Sequence, residues 1–385
     1  MPGLFICRIG SDRVLLTGVT GGYLESLSRT GIEMKTPYLS LIDGFRGLAA
    51  LCVLIYHYGH FFMAGPDRTA IYDFPDIAPF SDALSIVYSE GDFAVQIFWM
   101  ISGFVFTYVY PAQIKDGRAF LVNRIARLYP LHLVTLILVT ALFLAARLTL
   151  GYTPIYANFD LEHFLAQLVL ASDWVNTGYS FNGPIWSVSV EVVIYGVFWA
   201  LSSRLAHQNA LISAVFAAGF FALFMTFGNL TEIFRCGFFF FSGAMLARMC
   251  LGLTSRIGMS ALAVLLITEG LVFSAYFGVG GFKTLGGVGL FGGMLVALYA
   301  FEGAVPERFR RVSEWLGESS YGLYLWHFPI QLSAILIIGP SGQLEVLAQS
   351  PAFFFSYLAI SLFVARLSYR YFEAPARRYL RRALA

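Results

Sequence analysis

An arginine and a histidine, Arg46 and His57, lie eleven residues apart in the apolar stretch SLIDGFRGLAALCVLIYHYGHFF (40–62). Charged and titratable side chains are costly at membrane depth, and they usually mark functional sites there. Eleven residues of α-helix turn by ~1100°, close to a whole number of turns, so both side chains would share one face about 16 Å apart. A neutral imidazole can take a proton from a hydroxyl, so the pair indicates a permanent cation at one depth and acid–base chemistry at another.

Two further ionisable residues accompany this pair. Asp43 precedes Arg46 by three residues, so the two side chains can form an ion pair on one helical face. His60 follows His57 by three residues and adds a second imidazole nearby. A lone histidine in a membrane helix more often makes only an interhelical hydrogen bond. That alternative does not account for the arginine on the same face.

A second polar island lies at the start of a later apolar stretch, NGPIWSVSVEVVIYGVFW (182–199), and contains Trp186, Ser187 and Glu191. Ser187 and Glu191 are four residues apart and therefore lie on one face of a helix. A carboxylate beside an apolar run needs a partner, which an intramembrane histidine or arginine would supply. We therefore predict that polar side chains of this stretch and those of residues 40–62 belong to one polar site inside the membrane.

Two more motifs carry cationic or titratable side chains. RIARLYP (124–130) sets Arg124 and Arg127 three residues apart, a spacing that suits the gripping of phosphate groups. Anchoring by positive charge on the inner side of the membrane explains that spacing equally well. YGLYLWHFPI (321–330) contains His327, a further candidate for the interior polar site. The other interpretation of this motif is an aromatic belt at the membrane interface.

The composition is that of a membrane protein. Only 12% of the 385 residues are charged and 58% are hydrophobic, whereas a soluble protein of this length carries roughly a quarter charged residues. The basic residues stand in short clusters beside apolar stretches, which argues against nucleic-acid binding. The four cysteines show no paired spacing, so neither a disulfide framework nor a metal site is predicted.

Ten apolar stretches are each close to the ~20 residues that a helix needs to cross the hydrocarbon layer. The predicted fold is therefore an all-α integral membrane protein with about ten transmembrane helices. A shorter amphipathic piece, 161–172, is expected to be interfacial or re-entrant. The predicted spans are 45–64, 92–111, 128–149, 187–203, 209–228, 233–250, 257–279, 284–301, 319–339 and 351–372.

Lysine and arginine alternate between the loops in a consistent way, and the segment 150–183 has none. By the positive-inside rule, both termini are predicted to be cytoplasmic. The chain is expected to divide into a polar N-terminal extension (1–38), a membrane domain (39–376) and a basic cytoplasmic tail (377–385). Met34, directly before the motif-rich part, is an alternative start of the chain.

Taken in order, these motifs resemble acyltransferase family 3. Its members are bacterial integral-membrane enzymes that O-acylate, usually O-acetylate, cell-surface polysaccharides, lipopolysaccharide, Nod factors and some antibiotics. The arginine–x10–histidine pair is the hallmark of that family and falls here on Arg46 and His57. The likeness runs over residues 38–380 and is carried by that pair together with VQIFWMISGFV (95–105), RIARLYP, WSVSVEVVIY (186–195), YGLYLWHFPI and YFEAPARR (371–378).

The resemblance implies a reaction and its partners. An acyl-CoA, acetyl-CoA above all, would act as a cytoplasmic co-substrate, with no permanently bound cofactor. The acceptor would be a hydroxyl of a glycan or lipid-linked saccharide, and the protein would lie in the bacterial inner membrane. His57 would be the general base or a transient acyl carrier, supported by Arg46 and Glu191. The residues expected to bind substrate are Asp43, Arg124, Arg127, Trp186, Ser187 and His327.

Two other functions fit parts of the sequence. A transporter or flippase of a glycolipid or a small anionic solute would also use ionisable residues at mid-membrane depth. It predicts broken helices at matching positions of two repeated halves, and no repeat is visible. A sensor or scaffold without turnover would not explain an arginine and a histidine on one helical face.

Overall fold

The structure is a computed structural model that describes residues 5–9, 12–16, 38–66, 74–110, 116–174, 178–204, 209–253, 255–277 and 281–384. Two short strands, β1 (Phe5–Ile9) and β2 (Asp12–Leu16), pair in an antiparallel hairpin. The rest of the regular structure in these ranges is helical. The predicted N-terminal extension, 1–38, and its alternative start fall largely outside the described residues and stay predictions.

The helices follow one another with short connections. They are α1 (Ser40–Tyr56) with a 3-10 continuation (His57–Phe62), α2 (Phe74–Ile77), α3 (Ser81–Glu90), α4 (Phe93–Val109), α5 (Gly117–Thr149), α6 (Leu161–Leu168), a 3-10 turn (Gly183–Ile185), α7 (Trp186–Arg204), α8 (Ala210–Phe227), α9 (Ile233–Gly252), α10 (Arg256–Phe277), α11 (Gly281–Phe301) with a 3-10 turn (Glu302–Ala304), α12 (Glu307–Ile338) with a 3-10 turn (Gly339–Ser341), α13 (Leu344–Ala348), α14 (Pro351–Ser368), a π-helix (Tyr369–Glu373) and α15 (Ala374–Leu384).

Nine helical segments in the described ranges are long and apolar enough to cross a bilayer. A tenth span forms if α3 and α4, which meet at a bend of 62°, are taken together. These segments overlap the ten predicted spans one by one, so the predicted all-α multi-pass membrane fold is confirmed. The helix α6 lies within the amphipathic piece 161–172, and its 8 residues are too few to cross the hydrocarbon layer.

Glycines allow α4 and α9 to pack closely in parallel directions. A Cβ on Gly103 would overlap the backbone carbonyl of Phe240, and a Cβ on Gly243 would overlap that of Met100. Helices in lipid gain little from hydrophobic burial against each other, so close backbone approach at small residues is what holds them together. Gly287 of α11 faces Gln96 of α4 and Phe239 of α9, and Gly292 faces Met100 and Leu246, so α4 and α9 advance in the same direction.

The apolar helices α1 and α12 pack in parallel. Gly47 lies against Leu316, and Gly317 lies against the backbone of Asp43, with no room for a Cβ at either glycine. Further along both helices, Gln331 of α12 hydrogen-bonds the backbone carbonyl of His57, at the end of α1. The two helices therefore keep the same register over their whole contact.

The close contact at Gly103 can be tested by adding one methyl group. We expect Gly103→Ala to lower the free energy of unfolding by about 1–3 kcal/mol, because the added Cβ overpacks against the Phe240 carbonyl. Thermal unfolding in detergent measures the change. The control is Gly219→Ala on α8, where a Cβ meets no atom within 4 Å. Equal stability of the two variants would contradict the α4–α9 packing.

Candidate functional site

Three histidines from two helical segments form a cluster in the interior. The ring centroid of His57 lies 4.9 Å from that of His60 and 5.0 Å from that of His327, with the His57 and His327 rings nearly parallel at 23°. His60 and His327 are buried, with 8% and 0% of their surfaces exposed, whereas His57 is partly exposed. His57 is thus the least buried member of the histidine cluster.

Backbone contacts fix the proton positions on two of these rings. Nδ1 of His57 lies 3.0 Å from the carbonyl oxygen of Val53, and Nδ1 of His327 lies 3.3 Å from that of Leu323. A carbonyl only accepts, so each neutral ring carries its proton on Nδ1 and keeps the lone pair on Nε2. Nε2 of His327 is buried and has no hydrogen-bond partner. The contact with Val53 thus leaves the Nε2 lone pair of His57 unprotonated.

Gln331 on α12 ties the cluster together. Its Nε2 donates to the backbone carbonyl of His57 at 2.6 Å, and its Oε1 accepts from Nδ1 of His60 at 3.1 Å. α1 ends at Tyr56, so His57 opens the 3-10 continuation rather than extending the regular helix. Gln331 thus bonds to both histidines of that continuation.

Arg46 and His57 do face one neighbouring helix, as their spacing predicted. Nε of Arg46 donates to the Ser320 hydroxyl at 3.1 Å and its Nη2 donates to the Gly317 carbonyl at 3.1 Å. Both partners belong to α12, the helix that also carries His327. The predicted ion pair with Asp43 is present, with a nitrogen–oxygen distance of 2.7 Å.

Glu191 lies in an inner cavity of about 130 Å³ with polar and aromatic walls. It accepts hydrogen bonds from the hydroxyls of Ser102 and Tyr195, and the positive charges of Arg124 and Arg46 also act on it. The partner that the sequence suggested is thus an arginine charge rather than a histidine. Its Oε1 is buried and has no hydrogen-bond partner. The cavity is lined, among others, by Arg46, Trp99, Ser102, Arg124, Arg127, Ser187, Glu191, Tyr195, Ser320 and Tyr324.

The inner cavity lies next to the histidine cluster. The hydroxyls of Ser187 and Tyr324 pair at 2.6 Å in its wall. The Tyr324 ring centroid is 6.2 Å from that of His327, one turn further along α12. The cluster therefore lies one aromatic ring beyond the cavity.

The inner cavity adjoins a larger vestibule of about 650 Å³. Both are lined by Arg46, Val105, Arg124 and Arg127, so these four side chains stand at the boundary between the two spaces. The other vestibule residues are Tyr38, Leu39, Asp43, Tyr108, Val109, Glu314, Glu318, Tyr369, Arg377 and Arg381. Five arginines thus line this space against three carboxylates.

Two of those arginines come from the segment that the sequence predicted to be a tail. Residues after the π-helix form α15, which packs along α5 and turns Arg377 and Arg381 toward the vestibule. Arg378, one position on, is exposed and is not part of the vestibule wall. The four-residue spacing of Arg377 and Arg381 puts both on one face of α15, whereas Arg378 lies on a different face.

Trp186 lies apart from the other predicted substrate-binding residues. It lines a separate recess with Asp173 and Glu232. Its ring centroid lies 5.7 Å from that of Trp99 in a T-shaped contact, and Trp99 lines the inner cavity. The other predicted site residues line the inner cavity or the vestibule, except His57 and His327, which form the cluster with His60.

Two residues that contact the predicted site residues were not themselves predicted, although their spacing could have revealed them. Gln331 follows His327 by four residues, and Tyr195 follows Glu191 by four. Each therefore lies on the same helical face as a residue already singled out. Within the described residues, no group of three or more His, Cys, Asp or Glu side chains has the arrangement of a metal site.

Fold and site define a multi-pass membrane protein whose polar interior is reached through an arginine-lined vestibule. The chain belongs to the acyltransferase family whose domain model (Acyl_transf_3, acyltransferase domain) matches residues 39–370. It is therefore a membrane acyltransferase that transfers groups other than aminoacyl groups.

Two relatives match parts of the chain. Protein 2 in picA locus of Rhizobium radiobacter is 31% identical over 197 residues, which cover 46% of this chain and 90% of that protein. Acyltransferase MdmB of Streptomyces mycarofaciens is 34% identical over 118 residues, which cover 30% of each chain. No solved structure matches this chain.

The hydrogen bonds of Gln331 can be removed at nearly constant volume. We expect Gln331→Leu to lower the free energy of unfolding by about 2 kcal/mol, because the buried His57 carbonyl and His60 Nδ1 lose their partner. The control is Gln343→Leu at an exposed position after α12. Thermal unfolding in detergent compares them, and unchanged stability of Gln331→Leu would contradict this role.

Proposed function

We propose that this protein transfers an acyl group, most simply acetyl, from a cytoplasmic acyl-CoA to a hydroxyl of a glycan or glycolipid, with His57 as general base. The observation that carries the proposal is the succession of three neighbouring features. The arginine-rich vestibule adjoins the inner cavity, and a single aromatic ring, that of Tyr324, stands between the inner cavity and the histidine cluster. An anionic donor with a long acyl-bearing arm fits such an arrangement.

The donor is held by charge at the vestibule. The guanidinium groups of Arg46, Arg124 and Arg127 stand where vestibule and inner cavity meet, and Arg377 and Arg381 stand further out. Guanidinium groups bind phosphate oxygens through paired, charge-assisted hydrogen bonds. Since loop charges predict that this end is cytoplasmic, the donor enters from the cytoplasm.

The narrow inner cavity suits the thin arm of the donor rather than its nucleotide. Arg46 and His57 are separated by about 16 Å of helix, so a group held at the arginines must extend inward to reach the base. The pantetheine arm of CoA has that extended form. The thioester then lies beside Ser187 and Tyr324, next to the cluster.

The transfer itself needs one base. Nε2 of His57 takes the proton of the acceptor hydroxyl while the hydroxyl oxygen attacks the thioester carbonyl. The carbon–sulfur bond breaks, and the CoA thiolate leaves and recovers the proton from the imidazolium. The Val53 carbonyl holds the Nδ1 proton throughout and stabilises the charged ring. The products are an ester and free CoA.

Transport without acyl transfer has less support. A transporter built from two repeats would have broken helices at corresponding positions of its halves. Within the described ranges one pair of apolar helices is bent at a short break, α3 and α4, and no second pair matches it.

The base can be tested by His57→Ala. We expect a roughly 100- to 10,000-fold loss of acyl transfer, because a positioned general base contributes about that factor. Membranes containing the protein are supplied with acetyl-CoA and surface glycan from a strain lacking the gene, and free CoA thiol is measured. Binding of CoA should be retained. His163→Ala on α6, away from the cluster, is the control, and wild-type turnover by His57→Ala would refute the assignment.

The outer arginines offer a matched test of donor binding. We expect Arg377→Ala with Arg381→Ala to raise the KM for acetyl-CoA about tenfold or more, since loss of charge-assisted hydrogen bonds costs upward of ~1.5 kcal/mol. The turnover number at saturation should change little. The control is Arg378→Ala with Arg382→Ala, which removes the same charge from positions outside the vestibule wall. Equal KM values for the two double variants would show that α15 does not hold the donor.

A further inference from the structure

A small recess of about 240 Å³ lies outside the inner cavity and the vestibule. Its walls carry two carboxylates, Asp173 and Glu232, and two large aromatic rings, Tyr179 and Trp186. Thr231 and two glycines complete the wall. Pockets for drug-sized ligands are ~300–1,000 Å³, so this recess has room for a single ring rather than for an extended molecule.

The recess lies at the end of the bundle opposite the vestibule. Tyr108 and Val109, at the C-terminal end of α4, line the vestibule. Since α9 runs parallel to α4, the N-terminal ends of both helices lie at the other end of the bundle, and Glu232, which directly precedes α9, interacts there with Asp92 before α4. Two molecules can therefore approach the interior from opposite ends.

The Asp173 carboxylate is buried and incompletely bonded. Only 8% of this residue is exposed, and its Oδ2 has no hydrogen-bond partner. One hydrogen bond to the carboxylate comes from the backbone N–H of Glu232. A buried acceptor left open in this way is costly and rare, so Oδ2 marks a place for a donor from a ligand.

Burial and the charge of Glu232 raise the pKa of Asp173 to about 6, while nearby Arg235 lowers it. Glu232 itself is paired with Arg235, with a nitrogen–oxygen distance of 2.6 Å. Two carboxylates against one guanidinium leave the recess acidic. An anionic ligand is disfavoured there, whereas hydroxyl donors would satisfy the open oxygen and stabilise its charge.

Aromatic rings connect this recess to the histidine cluster. The ring centroids of Tyr179 and Trp186 are 6.4 Å apart. Tyr179 is also 5.8 Å from Tyr156, whose ring is 5.8 Å from that of His60. One tyrosine therefore separates the recess from the cluster that contains the proposed base.

The other wall of the recess is shared with the inner cavity. The first turn of α7 presents the Ser187 hydroxyl to Tyr324 on the cavity side. Two residues on, the Ser189 hydroxyl accepts from the backbone N–H of Asp173 on the recess side. The first turn of α7 therefore stands between the recess and the inner cavity.

We propose that the recess binds one uncharged pyranose ring of the acceptor, whose hydroxyls donate to Asp173 and Glu232 while Tyr179 and Trp186 pack against the ring. This assignment rests on the proposed acyl transfer and adds to it the class of acceptor and its place of binding. The acceptor enters from the end opposite the donor, and a neighbouring sugar hydroxyl reaches toward His57.

Binding can be measured directly, without turnover. The full chain in nanodiscs is mixed with methyl glucopyranoside, methyl galactopyranoside or methyl mannopyranoside, and saturation transfer from protein to sugar is followed by NMR. We expect binding of at least one neutral glycoside and about tenfold weaker binding of it by Asp173→Asn, which replaces an acceptor oxygen by a donor. Glu162→Gln, at an exposed position on α6, is the control and should bind as the wild type does.

Two results would overturn the proposal: no saturation transfer to any of the glycosides, or equal binding by Asp173→Asn and wild type. Methyl glucuronopyranoside should bind far more weakly than the neutral sugars, and equal binding would overturn the assignment to an uncharged ring. Turnover distinguishes this proposal from the proposed function. If His57→Ala abolishes transfer while Asp173→Asn leaves the acceptor KM unchanged, acyl transfer stands and the recess assignment fails. If the neutral glycosides bind through Asp173 but the wild type transfers no acyl group, the proposed function fails and the sugar site stands.

Discussion

The parallel contact between α1 and α12 is the constraint on which the site depends. In lipid, helices are held by close packing rather than by hydrophobic burial, and Gly47 and Gly317 permit that approach here. At this level Arg46 reaches the Gly317 carbonyl and the Ser320 hydroxyl. Eleven residues further along α1, His57 meets His327. A shift of one turn, ~5.4 Å, would separate both sets of partners at once.

Polar atoms without partners mark the spaces along which substrates would move. Oε1 of Glu191 and Nε of Arg124 adjoin the inner cavity, Nε2 of His327 lies in the cluster, and Oδ2 of Asp173 lies in the recess. Burying such atoms costs free energy unless a ligand or water completes their bonds. These four atoms are available to form hydrogen bonds with ligands, and leaving them without partners lowers the stability of the fold.

The two ends of the interior differ in charge, and that difference suits two different substrates. The vestibule gathers five arginines from three helices, α1, α5 and α15, whereas the recess carries two carboxylates and one paired arginine beyond its wall. A phosphate-bearing donor is attracted to the first and repelled by the second. In the proposed reaction, a thioester from one side would meet a hydroxyl from the other at the histidine cluster between them.

The amino-acid sequence by itself determined whatever depends on one helix. The length of each apolar stretch predicted the spans, and the three-residue spacing of Asp43 and Arg46 predicted their ion pair, because rise and rotation within a helix are nearly constant. Tertiary structure alone decided that His327 joins His57, that Glu191 bonds to Ser102, and that Arg377 faces the vestibule. These contacts join distant segments, and their choice depends on packing summed over whole helix surfaces, which no local pattern encodes.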